Sequence, residues 1–303
     1  MNSNRVPGAD IKVSPICLGT MTFGDPVEKK NAIRIVHAAL DQGINFIDTA
    51  DMYEGYNRQA GSTGGVAESI LGEALADRRC QAVVTTKVGN SVGGTNYQGS
   101  GLGREHILHQ IELSLQRMKT DYIDIYELHA QDPKTPLIET LEVMTELINA
   151  GKVLHWGFSN VEPTQILEMI QVCDENNWPR PVVAQPPYSW LRRDAESDYL
   201  PECRRFDLAI TPYQPLQGGL LTGKYHRGEP LPPESRAIES QWLSEPDNTL
   251  YDQLDQFESE ARNVGLKPAQ YAIRWLLQQS GITSVVVGVR NVVQLSDLLV
   301  ACS

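Results

Sequence analysis

The 303-residue sequence has few basic residues and no long apolar run, and each absence argues against a class of function. Its 26 Lys and Arg are outnumbered by 38 Asp and Glu, giving a formal net charge of -12 at pH 7. Because nucleic-acid binding needs a basic face, no nucleic-acid partner is expected. No stretch approaches the ~18 uncharged apolar residues of a membrane-spanning helix. Residues 1–11 are polar and lack the apolar core of a signal peptide, so no membrane association is expected.

Cysteine is also scarce. The five cysteines are Cys17, Cys80, Cys173, Cys203 and Cys302, and none forms a Cys-x-x-Cys pair. An odd count without such pairs argues against a disulfide framework and against a structural zinc site. No cluster of His, Cys and Asp suggests a catalytic metal, so none is expected. Unpaired thiols are typical of a reducing compartment, and we expect a cytoplasmic protein.

The sequence does show a regular alternation of short β-branched runs with amphipathic stretches. The predicted strands are 16–18, 45–48, 82–87, 122–128, 153–158, 182–185, 208–212 and 284–288. The predicted helices are 31–42, 66–76, 104–118, 137–150, 163–176 and 267–279. Such alternation indicates a parallel sheet with crossover helices, and eight units favour a closed barrel. We therefore expect an α/β fold: a single (β/α)8 TIM barrel domain over residues 1–303.

A doubly wound dinucleotide-binding sheet is the competing fold. It would need G-x-G-x-x-G after the first strand and an acidic residue about 20 residues later. The stretch Gly99-Ser-Gly-Leu-Gly103 has a different spacing and follows a polar loop, so we predict a loop there. Two segments interrupt the alternation: a polar Gly-rich loop at 54–65 and a proline-rich stretch at 228–248. Long loops after the strands of a barrel commonly carry the functional site.

Ionisable side chains stand at the ends of three successive predicted strands. Asp48 ends NFID, Lys87 ends AVVTTK and His129 follows IDIYEL. Tyr53 lies five residues beyond Asp48. Because the active site of a barrel lies at the carboxyl ends of its strands, we expect these four side chains to meet. Each of the four also has an ordinary explanation when taken alone. Asp48 could cap the next helix, and Lys87 could be a surface lysine. His129 could be a hydrogen-bonded core histidine, and Tyr53 is one of 11 tyrosines.

Together the four side chains can place a proton donor beside a carbonyl group. A tyrosine with an ordinary pKa near ~10 is a poor acid at neutral pH unless a cation stabilises its phenolate. Lys87 would supply that cation and Asp48 would hold Lys87 in place. His129 would hydrogen-bond a substrate oxygen. The set suits reduction of a carbonyl by a hydride that arrives from elsewhere.

Motifs along the whole chain resemble the aldo-keto reductase family. They are LGTMTFG (18–24), GINFIDTADMYEG (43–55), TTKVG (85–89), DYIDIYELH (121–129), AGKVLHWGFSN (150–160), TPYQPLQGGLLTGKY (211–225) and VVVGVRNVVQL (285–295). The TGKY stretch resembles the bacterial and potassium-channel β-subunit branch of that family. The resemblance implies a (β/α)8 barrel that binds NADP(H) across its rim. It makes Tyr53 the general acid in reduction and the general base in oxidation, with Asp48 and Lys87 tuning it and His129 orienting the carbonyl.

The resemblance also implies a set of cofactor-binding residues. For the nicotinamide these are Ser159, Asn160 and Gln185 at the carboxamide and Tyr213 stacked on the ring. For the pyrophosphate they are Gln214, Pro215, Leu216, Gly218, Thr222 and Lys224. For the adenosine side they are Ser235, Arg236, Gly288, Arg290, Gln294 and Asp297. Gly19, Thr20, Met21 and Asp48 complete the predicted contacts.

Two predicted cofactor residues, Arg236 and Arg290, favour NADPH over NADH. Each offers a planar, permanently charged fork to a phosphate, in a protein that is acidic overall. The alternative is that Arg290 merely pairs with Asp297 on the surface. Leu298 stands where the family often has Asn after the acid, which puts one adenine hydrogen bond in doubt.

The expected substrate is a small aldehyde, ketone or sugar-like carbonyl, or the matching alcohol. Because the chain ends at Ser303, soon after the last helix-like segment, we expect an open pocket mouth. The residues predicted to line the pocket are Met21, Phe23, Tyr53, Tyr56, His129, Tyr188 and Trp190, although aromatic side chains at these positions could equally be packing.

Two other functions compete with carbonyl reduction. One is a cofactor-binding partner module of the potassium-channel β-subunit type, with slow turnover. The other is a lyase that forms a Schiff base on Lys87, which would need an uncharged lysine, whereas Asp48 would raise its pKa. The sequence leaves open which carbonyl is reduced, the preferred direction of the reaction and whether the chain forms a homo-oligomer.

Overall fold

The computed structural model describes residues 3–59, 61–93, 99–233, 235–239 and 246–302. Its strands are β1 (Asn4–Arg5), β2 (Lys12–Val13), β3 (Ile16–Gly19), β4 (Phe46–Asp48), β5 (Val83–Val88), β6 (Ile123–Leu128), β7 (Val153–Ser159), β8 (Val183–Gln185), β9 (Ala209–Ile210) and β10 (Val285–Gly288). Its helices are α1 (Lys29–Asp41), α2 (Val66–Ala74), α3 (Arg104–Met118), α4 (Leu137–Asn149), α5 (Pro163–Asn176), α6 (Tyr199–Arg205), α7 (Arg236–Glu239), α8 (Asn248–Asn263), α9 (Pro268–Leu277) and α10 (Val292–Leu298).

Strands β3 to β10 form one parallel sheet whose order is β10-β3-β4-β5-β6-β7-β8-β9. The sheet curls until its edges meet. The Thr283 N–H donates to the carbonyl oxygen of Ile210 at 2.9 Å, and the Val286 N–H donates to that of Pro212 at 2.9 Å. The predicted α/β fold, a (β/α)8 TIM barrel, is confirmed, and each predicted strand corresponds to one of these eight.

The strands read as near-continuous apolar runs because helices cover their outer faces and side chains fill the barrel. Every residue of β3 and of β6 is buried. A hydrophobic cluster that takes side chains from six of the eight barrel strands also includes the N-terminal hairpin β1–β2. Its buried members are Val6, Ala9, Val13, Cys17, Phe46, Ile125, Val182, Val183, Ala209 and Val286. The hairpin therefore packs against the barrel interior at the end opposite to the carboxyl ends of the strands.

The hairpin β1–β2 and helices α6, α7, α8 and α10 were not predicted from the sequence. The hairpin has strands of only two residues, which is too short for an alternating pattern. Helix α8 did carry a signal in its first turn, because the Asp247 side chain caps the helix by accepting from the Leu250 N–H at 2.8 Å. Its apolar Tyr251, Leu254 and Phe257 also recur at helical spacing.

Parts of the two irregular segments lie outside the described residues, namely residue 60 of the Gly-rich loop and residues 234 and 240–245 of the proline-rich stretch. Across the described part of the chain, no helix is both long and apolar enough to cross a membrane. All five cysteines are unpaired.

Candidate active site

Lys87 is the centre of a buried polar cluster at the carboxyl end of β5. Its Nζ donates to Asp48 Oδ1 at 2.5 Å and to the carbonyl oxygen of Thr49 at 2.8 Å. The same Nζ lies 3.4 Å from the Tyr53 hydroxyl. Lys87 is fully buried and Asp48 is 2% exposed. A charge taken out of water in this way is costly unless it is paired, so this ion pair is the main electrostatic feature of the site.

Strand register and a turn bring these groups together. Asp48 ends β4 and lies opposite Gly19, the last residue of β3, and opposite Thr85 of β5. Thr20 fixes the end of β4, because its backbone N–H and its hydroxyl each donate to the Asp48 carbonyl oxygen at 2.9 Å. The following loop turns back, with the Tyr53 N–H donating to the Ala50 carbonyl oxygen at 3.1 Å. The turn places the Tyr53 phenol over Lys87.

His129 completes the group of four predicted catalytic residues. Its ring stands edge-on to that of Tyr53, with centroids 5.8 Å apart and planes at 79°. Its backbone is held on both sides, since its N–H donates to the Val88 carbonyl oxygen at 2.8 Å and Asn160 Nδ2 donates to its carbonyl oxygen at 2.9 Å. Its Nδ1 is buried and has no hydrogen-bond partner within the described residues. The structure thus brings Asp48, Tyr53, Lys87 and His129 together.

Burial and charge shift the pKa values of these groups in different directions. Burial lowers the pKa of Lys87, but Asp48 and then Tyr53 and Glu127 raise it, and the net pKa lies above the ordinary value. Burial, and secondarily the Lys87 charge, hold the pKa of His129 well below its usual range. Lys87 is therefore cationic at neutral pH and His129 is neutral.

Tyr53 keeps its proton at neutral pH. Burial raises its pKa to about 12, and Lys87 lowers it by less than burial raises it. The expected influence of Lys87 is present, but it does not give a net lowering of the phenol's pKa. A phenolate formed at this position would depend on the adjacent ammonium for stabilisation.

We call Asp48, Tyr53, Lys87 and His129 the tetrad. A chain of hydrogen bonds links it to the residues predicted to bind the nicotinamide. Gln185 Nε2 donates to Asp48 Oδ1 at 2.8 Å, and the Ser159 hydroxyl donates to the Gln185 carbonyl oxygen at 2.8 Å. Asn160 Nδ2 donates to the Ser159 hydroxyl at 3.0 Å, and the Tyr213 hydroxyl donates to Asn160 Oδ1 at 2.7 Å. Asn160 has a left-handed backbone, with φ 53°. Such conformations in non-glycine residues cluster at functional sites.

A glycine turn follows β9, in the stretch predicted to bind the pyrophosphate. Gly218 and Gly219 both have positive φ, 66° and 103°. A Cβ added at Gly219 would lie 3.2 Å from Lys224 Nζ, so the ammonium stands directly over this turn. The Thr222 hydroxyl donates to the Gly219 carbonyl oxygen at 2.6 Å. A turn of exposed backbone N–H groups next to a cation is suited to an anion.

Two arginines meet at the ring of Tyr56. The guanidinium carbon of Arg236 lies 4.4 Å from the Tyr56 ring centroid, and that of Arg290 lies 5.7 Å from it. The backbone N–H of Arg290 donates to Gln294 Oε1 at 2.8 Å. Asp297, weighed above as a surface partner for Arg290, forms an ion pair with Lys267 at 2.6 Å.

Comparison with known proteins decides the family. The sequence matches the Aldo/keto reductase family over residues 15–303. The chain belongs to the aldo/keto reductase family. It is 34% identical over 300 residues to the uncharacterized oxidoreductase YrpG of Bacillus subtilis, covering 96% of this chain and 88% of the relative. It is 32% identical over 297 residues to a probable voltage-gated potassium channel subunit beta of Oryza sativa, covering 95% of this chain and 87% of the relative.

A solved structure shares the fold. The glycerol dehydrogenase from Gluconobacter oxydans superposes with a TM-score of 0.80 at 31% identity, covering 98% of this chain and 88% of the other. The resemblance inferred from the motifs, including the likeness to potassium-channel β-subunits, is thus confirmed. As a member of this family, the protein is an oxidoreductase.

The residues present fit the nicotinamide cofactor that aldo/keto reductases use. Gln185 beside Asp48 offers an amide, the glycine turn under Lys224 offers a site for an anion, and Arg236 and Arg290 offer a second cationic site. Gly288, at the end of β10, has open space beside it, since a Cβ added there would meet only the Gly19 carbonyl oxygen, at 3.7 Å, among the described residues. No group of three or more His, Cys, Asp or Glu in the part of the chain that the structure describes could hold a metal ion.

The predicted substrate pocket is only partly assembled. Met21, which is 37% exposed, follows the carboxyl end of β3, the end of the barrel at which Tyr53 and His129 also lie. Phe23 is fully buried and belongs to the main core cluster. Tyr56 faces the two arginines, which puts it at the predicted phosphate end.

The remaining two predicted pocket residues pack against helices. Tyr188 is 1% exposed, packs on Trp275 with ring centroids 5.5 Å apart and donates its hydroxyl to Glu196 at 2.7 Å. Trp190 packs on Phe257 with centroids 5.2 Å apart and donates Nε1 to Glu260 at 3.0 Å. Each ring is held by a packing partner far away in the sequence, which the local pattern does not reveal.

Two residues of the site were not singled out by the sequence pattern. Thr49 provides the second oxygen that accepts from Lys87, and it does so through its backbone, which carries no residue-type signal. Glu127 is fully buried on β6, where its side chain lies in the barrel beside Thr85 and Lys87. Its position in IDIYELH could have indicated a functional residue, because Glu is rarely found in a wholly buried strand unless it is paired.

Proposed function

We propose that this protein is an NADPH-dependent reductase of aldehydes, ketones or sugar-like carbonyls, with Tyr53 as proton donor. The observation that carries the proposal is the buried Lys87–Asp48 ion pair with the Tyr53 hydroxyl 3.4 Å from the ammonium and the His129 ring beside it. This arrangement stabilises a phenolate and leaves a neutral imidazole facing the same space. Both features suit the reversible exchange of a proton with a carbonyl oxygen.

Each residue has a separate part in that exchange. The nicotinamide, when bound, supplies hydride to the substrate carbon in reduction and takes it back in oxidation. Tyr53 gives its proton to the substrate oxygen, and the Lys87 ammonium stabilises the phenolate that remains. Asp48 keeps Lys87 charged and in place. Neutral His129 orients the carbonyl through a hydrogen bond, and burial of the cluster strengthens these interactions by excluding water.

The charge distribution supports NADPH over NADH. Arg236 and Arg290 converge on one side chain, in a protein whose formal net charge is -12. Guanidinium groups placed together in an acidic protein suit the extra phosphate that distinguishes NADPH. We assign Lys224 and the glycine turn to the pyrophosphate, and Ser159, Asn160 and Gln185 to the carboxamide.

The substrate class rests on a relative rather than on the pocket. The solved structure that this chain resembles is named a glycerol dehydrogenase, which favours a polyol or its sugar-like carbonyl among the candidates. Met21 and Tyr53 are the rim side chains that such a substrate would meet. We place the enzyme in the cytoplasm, because its cysteines are unpaired.

The first experiment titrates intrinsic fluorescence with NADPH and NADH in parallel and then measures carbonyl-dependent oxidation of NADPH. The expected result is tighter binding of NADPH than of NADH and turnover with glyceraldehyde or an aromatic aldehyde. Equal affinity for the two cofactors would contradict the assignment of the arginines. Binding without turnover on any carbonyl would contradict reduction as the function.

A second candidate is a cofactor-binding subunit that acts on a channel. It is favoured by one finding, the 31–32% identity to proteins named probable or putative voltage-gated potassium channel subunits beta in Oryza sativa, Arabidopsis thaliana and Schizosaccharomyces pombe. Such a role predicts slow turnover with a tightly retained cofactor. Single-turnover rates and cofactor release rates measured on the same preparation distinguish the two functions.

A further inference from the structure

Glu127 is a buried carboxyl group that the proposed reaction does not use. It lies on β6 directly opposite Lys87 of β5 in the strand register. Its side chain is fully buried. The Thr85 hydroxyl donates to Glu127 Oε1 at 3.1 Å. The other oxygen, Oε2, is buried and has no hydrogen-bond partner within the described part of the chain.

The neighbouring strand leaves room for this side chain. Gly157 of β7 pairs with Glu127 in the register, and a Cβ added at Gly157 would lie 3.3 Å from Glu127 Cγ. The same added Cβ would lie 2.6 Å from the Val183 carbonyl oxygen. Glu127 therefore occupies a space inside the barrel that a glycine keeps open.

The barrel interior beneath the rim holds two carboxyl groups for one ammonium. Asp48 already takes the Lys87 charge at 2.5 Å and accepts from Gln185 as well. An ionised Glu127 would add a second negative charge with no cation of its own. A like charge close to an ionisable group disfavours its anionic form, and here that form is the Tyr53 phenolate.

We propose that Glu127 is a positioning residue that acts through Lys87. When Glu127 is protonated, the Lys87 ammonium is available to stabilise the Tyr53 phenolate. When Glu127 is ionised, its negative charge competes with the phenolate for that ammonium, and proton transfer from Tyr53 becomes slower. The proposal rests on carbonyl reduction being the function. It assigns to Glu127 the upper pH limit of that reaction.

The charged surroundings of Glu127 place this change in an accessible pH range. Burial and then the Asp48 charge raise its pKa to about 8, although Lys87 and the Thr85 hydroxyl lower it. The titratable groups that interact electrostatically with it are Cys17 of β3, Asp48 of β4, Lys87 of β5, Tyr199 of α6 and Tyr53 of the loop after β4. Strand β7 presents Gly157, which carries no charge.

Cys17, Tyr199 and Lys87 do not titrate in the same range. Burial raises the pKa of the Cys17 thiol and of the Tyr199 phenol well above their ordinary values, so both stay neutral. Lys87 stays charged, because its pKa is raised. Glu127 is thus neutral below its raised pKa and anionic above it, and reduction weakens as pH increases through that value.

The test compares wild type with Glu127→Gln, which keeps the oxygen that accepts from Thr85. In wild type we expect kcat/KM for carbonyl reduction to fall roughly tenfold from pH 7 to pH 9, as for one ionisation that inactivates. In Glu127→Gln the profile should stay flat over that range. Asp124→Asn is the matched control: Asp124 lies on the same strand but pairs with Arg79 at 2.6 Å on the outer face, and its profile should match wild type.

A readout independent of turnover is the infrared stretch of the protonated carboxyl group. Wild type and Asp124→Asn should show a band that disappears near pH 8, and Glu127→Gln should lack it. An unchanged pH profile in Glu127→Gln, or no such titrating band in wild type, would overturn the proposal. A wild type that shows the band yet reduces no carbonyl would contradict the proposed function and, with it, the role assigned to Glu127.

A second variant covers the case in which Glu127→Gln does not fold. Thr85→Val removes the hydroxyl that stabilises ionised Glu127. It should move both the fall in kcat/KM and the infrared titration to higher pH. A shift of either to lower pH would overturn the proposal.

Discussion

Removing the charge of Asp48 should destabilise the protein because it takes away the main counter-charge of the Lys87 ammonium. In Asp48→Asn the side-chain oxygen can still accept from Lys87, but the negative charge 2.5 Å from a fully buried Nζ is lost. The Thr49 carbonyl oxygen also still accepts from Lys87, at 2.8 Å, but it carries no full charge. Breaking a buried ion pair by removing one partner costs about 3–5 kcal/mol, and we expect the lower end because the amide keeps a dipole near the ammonium.

The loss of stability in Asp48→Asn should depend on pH. Without Asp48, burial, the largest influence on the pKa of Lys87, is opposed only by the weaker effects of Tyr53 and Glu127. We therefore expect the pKa of Lys87 in the folded variant to lie below its value in the unfolded chain. The unfolded state then binds more protons, so the stability of Asp48→Asn should increase as pH rises towards the ordinary range of lysine. Wild type should not show this recovery, because its Lys87 pKa is raised rather than lowered.

Urea unfolding of a double-mutant cycle measures the effect. The Asp48→Asn/Lys87→Met double variant no longer contains the buried ammonium and should regain most of the stability lost in Asp48→Asn. Glu73→Gln is the control, since it breaks an exposed ion pair with Lys29 and should change little. A loss below about 1 kcal/mol in Asp48→Asn, or no recovery in the double variant, would refute a stabilising role for the buried charge pair.

Three further predictions concern the arginines, Tyr56 and Glu127. Arg290→Ala should weaken NADPH binding by roughly 1–3 kcal/mol and NADH binding by less, and equal weakening in parallel fluorescence titrations would remove Arg290 from the 2′-phosphate. Tyr56→Leu should weaken NADPH binding several-fold, because the ring that contacts both guanidinium groups is lost, whereas Tyr56→Phe should bind NADPH as wild type does. The same fluorescence titration measures both variants. An equal loss of affinity in both would indicate that the hydroxyl, not the ring, is responsible. The Glu127 pKa is raised from 4.5 to about 8 on folding, so its contribution to the free energy of unfolding is present at low pH and is lost as pH rises through that window. Urea midpoints of wild type should therefore fall more between pH 5 and 9 than those of Glu127→Gln, and parallel slopes would contradict a protonated Glu127.

The tetrad could be predicted because its members end successive strands. In a parallel barrel all strands end at one face, so Asp48, Lys87 and His129 had to converge once the strands were placed. Tyr53 was a weaker prediction, because it depends on how the loop after β4 turns back over Lys87.

Aromatic residues near the site were harder to place. Tyr56 and Tyr188 look alike in sequence, yet one faces two guanidinium groups and the other is buried against Trp275. The difference comes from side-chain partners distant in sequence, which no local pattern contains. Arg236 and Arg290 were grouped by family resemblance, and their meeting at one ring is visible only in three dimensions.

Glu127 shows a different limit of prediction from the sequence. The strand reads as a buried run, but which of its residues face the barrel interior depends on register with β5 and β7. A slip of one residue would turn Glu127 outward towards the helices. The inward direction of Glu127 therefore follows only once Glu127 is known to lie opposite Lys87 in the sheet.

The most direct test of the proposed chemistry is Tyr53→Phe, which removes one hydroxyl and leaves the ring beside His129. NADPH affinity by fluorescence titration and the single-turnover rate of carbonyl reduction should be measured on the same preparations. We expect affinity to be unchanged and reduction to slow by at least about a hundredfold, the contribution of a positioned proton donor. Retained reduction, or loss of NADPH binding together with activity, would contradict Tyr53 as the proton donor.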